Sequence, residues 1–151
     1  MTPLALALAA LTLVTPARAE AVAADVEAVV AEAPEALGDP ATTRILLATV
    51  VVAESGLRVA VERCHARGDG GRSIGLTQII AGPNRAGIAA WAICADRRQQ
   101  LRLGLAVLTR CWARVPRRDA ALRCYASGDP GLDSDTARRA GGVLVALGAR
   151  L

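Results

Sequence analysis

The chain has 151 residues, of which 53% are hydrophobic and 21% charged, and it carries a formal net charge of +4 at pH 7. This length and composition are typical of one globular domain and exclude disorder across the body of the chain. No internal repeat of solenoid length is present. The positive charge favours an anionic partner such as cell wall, nucleic acid or a phospholipid surface, and does not by itself choose among them.

The N-terminus has the pattern of a signal peptide. Leu4 to Val14 form an apolar run broken only by Thr12, too short to span a bilayer, and Ala17-Arg18-Ala19 follows. Small residues at these two alanine positions fit the signal-peptidase rule. We therefore predict a signal peptide over residues 1–19 and export to the periplasm or the extracellular space. The alternative is a buried N-terminal helix.

Four cysteines are available for disulfides in an exported chain. They include no C-x-x-C pair, and the single histidine, His65, adjoins Cys64, so the sequence does not favour a zinc site or any other metal or cofactor. Four cysteines allow three connectivities. We favour a disulfide between Cys111 and Cys124, which would join one helix to the next, and by elimination one between Cys64 and Cys94.

The first half of the mature chain predicts two helices. The first, an amphipathic N-terminal helix, covers residues 22–37 within a segment 20–40 that Gly38-Asp39-Pro40 closes. The second begins near Ile45, where Thr42 or Thr43 can cap it, and is apolar enough to be buried on all sides. The β-branched residues at 50–52 would also suit a strand, but the apolar pattern continues to Leu57 and favours a helix. Residues 41–151 then form the main domain.

The second half predicts loops and three further helices. Residues 64–73 have three glycines and indicate an exposed loop or a short hairpin. Asp96 can open a long helix that ends before Pro116, Asp119 can cap a short one that stops at Ser127-Gly128, and Asp133 or Ser134 can open the last. The fold class is therefore mainly α. Both tryptophans are expected in the core, and the apolar stripe of the long helix consists of Leu101, Leu105, Leu108, Trp112 and Val115.

A carboxylate at the end of the buried helix is the first candidate for chemistry. Glu54-Ser55-Gly56 closes the densest apolar segment of the chain. Burial without a cationic partner raises the pKa of a glutamate, and a partly protonated Glu can act as a general acid. The alternative is a helix end that is only solvated.

Two further segments make this candidate site more specific. Gly75-Leu76-Thr77-Gln78 follows Glu54-Ser55, and Tyr125-Ala126-Ser127-Gly128 comes later. In this order the motifs resemble those of the soluble-type lytic transglycosylases of the lysozyme-like superfamily, over Ile45 to about Gly128. The chain departs from the family at Thr77, where Met is usual, at Ala126, where Asn is usual, and in the longer spacing between Glu54 and Gln78.

The resemblance implies a fold and an activity. The fold would be a single lysozyme-like domain. Glu54 would protonate the glycosidic oxygen between N-acetylmuramic acid and N-acetylglucosamine, and would then take the proton of the muramyl C6 hydroxyl as that hydroxyl attacks C1. The product would be a 1,6-anhydromuramyl end. Partners would be peptidoglycan glycan strands, with no nucleic acid, no membrane insertion and a monomeric enzyme. The implied substrate-binding residues are Ser55, Gly75, Leu76, Thr77, Gln78 and Tyr125.

Several alternatives remain open from the sequence. Asp69 could position water if it lay roughly 6.5 to 9.5 Å from Glu54, which would make the protein an inverting muramidase; otherwise Asp69 is a turn residue. Gln78 could be a backbone-capping amide and Tyr125 a core aromatic. The whole chain could also be a catalytically inactive module that binds glycan, or a disulfide-linked helical module unrelated to sugars.

Overall fold

The computed structural model describes residues 1–80, 90–94 and 96–151, without the side chains of Asp69, Ala90 and Trp91. In this part of the chain the fold is mainly helical, as the sequence predicts. A 3₁₀ turn at Asp69–Gly71 precedes the antiparallel strand pair, in which Ser73 pairs with Ile80 and Ile74 with Ile79. The elements are α1 (Pro3–Leu11), α2 (Pro16–Glu32), α3 (Pro40–Ser55), α4 (Val59–Glu62), β1 (Ser73–Ile74), β2 (Ile79–Ile80), α5 (Ala90–Cys94), α6 (Arg97–Arg114), α7 (Arg118–Ser127) and α8 (Asp135–Gly148).

Helix α3 forms the centre of the fold and packs against α2, α6, α7 and α8. Its residues from Ile45 to Ala53 are all buried, so the prediction of a buried helix instead of a strand is confirmed. The predicted start was wrong. Asp39 is the N-cap, because its side chain accepts hydrogen bonds from the backbone N–H and the hydroxyl of Thr42, at 2.8 and 2.7 Å. Pro40 occupies the first helical position, where a missing N–H costs nothing. Gly38-Asp39-Pro40 therefore opens α3 and does not close the preceding helix, which ends at Glu32.

The N-terminal segment packs against the rest of the fold in the full chain. Leu4 and Leu8 of α1 are buried, and α1 lies against α2 and α8. Helix α2 runs through the predicted cleavage site, and Arg18, just before it, forms a salt bridge with Glu62. Within the described ranges, no helix combines the length and apolar character needed to cross a membrane. Cleavage before Glu20 stays a prediction.

An ion-pair cluster joins α2 to the start of α6. Asp25, 9% exposed, accepts hydrogen bonds from Arg97 Nε at 2.5 Å and Arg98 Nε at 2.7 Å. Burial by itself raises the pKa of Asp25, but the two guanidinium groups outweigh it and leave the pKa below its usual value. Two cations in a first helical turn oppose the helix dipole, and Asp25 compensates them. Asp96 caps α6 as predicted, by accepting from the backbone N–H of Arg98.

The two C-terminal helices follow the sequence prediction with one correction. Asp119 does not cap α7, because the helix begins one residue earlier, at Arg118. Its carboxylate instead pairs with Arg117 and Arg123, and the hydrogen bond from Arg117 is the main reason why the pKa of Asp119 falls to about 2. Gly128 ends α7 with a φ of 82°, as expected. Of the two candidates for the start of α8, Ser134 is the cap.

Both predicted disulfides are confirmed. Cys64 is bonded to Cys94 with a Cα–Cα distance of 6.0 Å, and Cys111 to Cys124 with 5.6 Å. The second bond ties the end of α6 to α7. Trp112, next to Cys111, is partly buried against the core as expected, whereas the side chain of Trp91 lies outside the described residues.

The Cys111–Cys124 bond should contribute measurably to stability. Closing a loop of this length removes chain entropy from the unfolded state, worth about 3 kcal/mol. We expect a variant carrying both Cys111→Ser and Cys124→Ser to lose about that much free energy of unfolding, as measured by equilibrium urea denaturation without reductant. An unchanged unfolding midpoint would contradict this account.

Candidate functional site

The end of α3 is shaped so that Glu54 lies at the edge of the core. The Ser55 hydroxyl donates to the carbonyl of Val51 at 2.7 Å and accepts from the N–H of Leu57 at 3.1 Å. Gly56 and Leu57 both have positive φ, 56° and 60°, so the helix stops abruptly. Leu57 adopts this unfavourable conformation while fully buried, which holds it in place. Glu54 is therefore partly buried in the last turn of a rigid central helix.

Glu54 lines a cleft of about 770 Å³. The walls come from the end of α3, the strand pair, α6, α7 and α8. Gln78 and Tyr125 line the same cleft, and so does Ala126, which stands where the family has Asn. Three segments that are distant in the sequence thus contribute their predicted site residues to one cavity of the size usual for ligand sites.

Gln78 is held in a strained position at the tip of the strand pair. Its φ is 49°, unusual for a residue with a side chain. Its Nε2 donates to the Gly75 carbonyl at 2.9 Å, and its Oε1 lies so close to Gly68 that a Cβ there would be 2.5 Å away. The backbone-capping role considered from the sequence is therefore present, in a side chain that also lines the cleft. Gly68, which the sequence analysis did not single out, makes room for it.

Tyr125 connects α7 to residues 75–78, called here the motif segment. Its hydroxyl donates to the Thr77 carbonyl at 2.6 Å, and its ring packs partly against the core. Burial raises the pKa of Tyr125, and the negative charge of Glu54 raises it further. The phenol therefore stays protonated and acts as a donor. The same shift indicates that Glu54 and Tyr125 are electrostatic neighbours.

Gln100, which the sequence analysis missed, holds the motif segment in place through hydrogen bonds. This α6 side chain is 1% exposed. Its Oε1 accepts from the Leu76 N–H at 2.7 Å, its Nε2 donates to the Glu62 carbonyl at 2.8 Å, and its own carbonyl accepts from Thr77 Oγ1 at 2.8 Å. Its spacing could have indicated its burial, because it precedes Gly104 and Leu108 by four and eight residues and so shares their helix face.

Two glycines allow this close packing. Gly75 has a φ of 77°, and a Cβ there would lie 2.8 Å from Gln100 Oε1. The space left by its missing side chain is thus filled by Gln100, whereas the resemblance implied that a glycan would approach there. A Cβ at Gly104 would lie 2.5 Å from Thr77 Cγ2. Thr77, where the family has Met, suits the site because its hydroxyl has a partner and its methyl group fits against Gly104.

Several predicted substrate-binding residues lie behind the cleft lining. Ser55 is 1% exposed, and Leu76 and Thr77 are 0% exposed. In this structure they hold the backbone that carries Glu54 and Gln78. The side chain of Asp69 lies outside the described residues, so the muramidase alternative stays a prediction. Among the residues described, no cluster of three or more His, Cys, Asp or Glu could hold a metal ion.

The cleft is strongly cationic. Five of its lining residues are arginines, from the end of α3, the loop before β1, α6 and α8: Arg58, Arg67, Arg110, Arg114 and Arg139. Among the lining residues that the structure describes, Glu54 is the one carboxylate. Sequence reasoning found no site signal in these arginines because they are scattered along the chain.

No protein-family model, curated protein or solved structure matches the chain.

Substitution of Gly104 tests whether the contact between Thr77 and α6 positions the site. We expect Gly104→Ala to lower the free energy of unfolding by about 1–3 kcal/mol, because the added methyl group overpacks against Thr77. Its matched control is Gly142→Ala in α8, where a Cβ meets no atom within 4 Å. That substitution should instead stabilise the helix by up to about 1 kcal/mol. Urea denaturation of both variants measures the difference, and equal effects would refute the role of Gly104.

Proposed function

We infer that this protein is a peptidoglycan lytic transglycosylase with a lysozyme-like domain, exported after removal of residues 1–19. It would cleave the β-1,4 bond between N-acetylmuramic acid and N-acetylglucosamine and leave 1,6-anhydromuramyl ends. The observation that carries the proposal is the meeting of Glu54, Gln78 and Tyr125 in one cleft. These are the residues that the three motifs single out, and nothing in their sequence positions requires them to converge.

The proposed reaction needs Glu54 in two protonation states, first as an acid and then as a base. Its place in the last turn of α3 sets it at the negative end of the helix dipole, which favours the protonated form that the first step requires.

A single carboxyl group is sufficient because the substrate supplies the nucleophile. Glu54 gives its proton to the glycosidic oxygen as the bond to C1 breaks. The C6 hydroxyl of the same muramyl ring then attacks C1, and Glu54 takes up the hydroxyl proton. The ring closes to the 1,6-anhydro product without water. Ordinary glycosidases need a second carboxylate to attack or to activate water.

The neighbouring polar groups have defined roles in the proposal. The Tyr125 hydroxyl is occupied by the Thr77 carbonyl, so it positions the motif segment and carries no proton to the substrate. Gln78 uses one N–H on Gly75, and its amide is held rigidly enough to orient a sugar hydroxyl or acetamido group. Ala126 offers no polar contact in place of the usual Asn, so orientation of the substrate would depend more on Gln78.

Removal of the Glu54 carboxyl group tests the proposal. Purified sacculi would be digested with wild type, with Glu54→Gln and with Glu35→Gln, the last an equivalent change at an exposed glutamate outside the cleft. Loss of a general acid typically costs about 10²–10⁴ in rate. We expect such a loss for Glu54→Gln only, and anhydromuramyl ends from the other two proteins by mass spectrometry.

Other outcomes would identify a different function. Equal digestion by Glu54→Gln would exclude this residue as the acid. Reducing ends would indicate hydrolysis, and their loss in Asp69→Asn would assign water positioning to that residue. Binding to sacculi without soluble product on long incubation would indicate a glycan-binding module.

A further inference from the structure

Most of the described arginines outside the cleft lining have acidic partners, whereas the arginines that line the cleft have none among the described residues. Eight arginines outside the cleft lining form salt bridges with carboxylates: Arg18, Arg44, Arg97, Arg98, Arg102, Arg117, Arg123 and Arg138. Within the described part of the chain, none of the five that line the cleft forms one. Among the described residues, the positive charge of these eight arginines is therefore compensated by salt bridges, and that of the five cleft arginines is not.

The hydrogen bonds of the five leave donors for a ligand. Arg58 and Arg67 each use only Nε, on the carbonyls of Ser55 and Cys64. Arg114 uses Nη1, on the Gly128 carbonyl and Cys124 Sγ. Arg110 and Arg139 make no hydrogen bond to any residue that the structure describes, and both are exposed. Paired guanidinium N–H groups match the two oxygens of a carboxylate.

This arrangement brings like charges close together on the folded protein. Arg110 and Arg114 are four residues apart on α6, where like charges destabilise a helix by about 0.2–0.5 kcal/mol. Other cations nearby add to this repulsion. An anionic ligand in the cleft would relieve it.

We propose that the cleft arginines bind the carboxylate groups of the stem peptides, so that the enzyme acts on glycan strands that still carry their peptides. This inference rests on the proposed function. The N-acetylglucosamine units of the strand are uncharged and give a cationic cleft nothing to bind. The stem peptides carry carboxylates and are attached to the muramyl residue whose C1 reacts, so they enter the cleft region whenever that bond reaches Glu54.

The test compares two substrates and two matched variants. The substrates are un-cross-linked glycan strands with stem peptides and the same strands stripped of peptides by an amidase. The test variant, Arg110→Gln with Arg139→Gln, removes two cleft cations from α6 and α8. The control, Arg102→Gln with Arg138→Gln, removes two salt-bridged cations from the same two helices outside the cleft lining and changes the net charge equally.

We expect wild type to cleave strands with peptides about tenfold faster than stripped strands at low substrate concentration. The reason is that charge-assisted hydrogen bonds between the cleft arginines and the stem carboxylates strengthen binding only when the peptides are present. The test variant should lose this preference through a higher KM for strands with peptides, and the control should keep the preference. Equal rates on both substrates with wild type would overturn the inference and leave the proposed function intact. An equal loss in both variants would also overturn it, in favour of general attraction to the anionic wall.

Binding separates this inference from catalysis. Fluorescence anisotropy with labelled strands and the Glu54→Gln protein should give a Kd about tenfold lower for strands with peptides than for stripped strands. Equal affinity would overturn the inference. Absence of cleavage by wild type together with peptide-dependent binding would refute the proposed reaction while supporting recognition of the stem peptides.

Discussion

The site depends on the hydrogen bonds made by the buried side-chain amide of Gln100. This amide bonds the Leu76 N–H on one side and the Glu62 carbonyl on the other, and so ties the chain that leaves α3 and the motif segment to α6. A buried polar side chain is tolerated when its donors and acceptors are satisfied, and an unpaired one costs stability. The Thr77 hydroxyl donates to the backbone carbonyl of Gln100, and the Thr77 carbonyl accepts a hydrogen bond from the Tyr125 hydroxyl, so α7 is fixed to this segment as well.

The position of Glu54 has a separate cause, the burial of α3. Nearly every side chain of this helix is packed against other helices, so the helix cannot shift without opening the core. The turn at Gly56 and Leu57 then ends it at a defined residue. A carboxyl group one position before the last residue of such a helix is held by the whole core, which is the rigidity that proton transfer to a bound substrate requires.

The distribution of charge differs between the helix contacts that hold the fold together and the residues that line the cleft. Asp25 compensates two arginines at the start of α6, where positive charge would otherwise oppose the helix dipole. Asp119 pairs with Arg117 just before α7 and with Arg123 within that helix. Around the cleft no such compensation is made by the described residues. A folded surface keeps uncompensated charge most readily where a bound partner of opposite sign neutralises it.

The sequence by itself determined the helical class and the stop at Gly128 and singled out three residues of the cleft, because apolar periodicity, caps and short motifs are local signals. It favoured the correct disulfide pairing among three connectivities without determining it. It misplaced the start of α3, since Asp39 next to Pro40 fits the end of one helix as well as the beginning of another. Only the tertiary structure decided that Gln100 and Gly104 support the motif segment and that five scattered arginines share one cavity. These depend on distances between segments far apart in the chain, which side-chain packing sets and local sequence patterns do not encode.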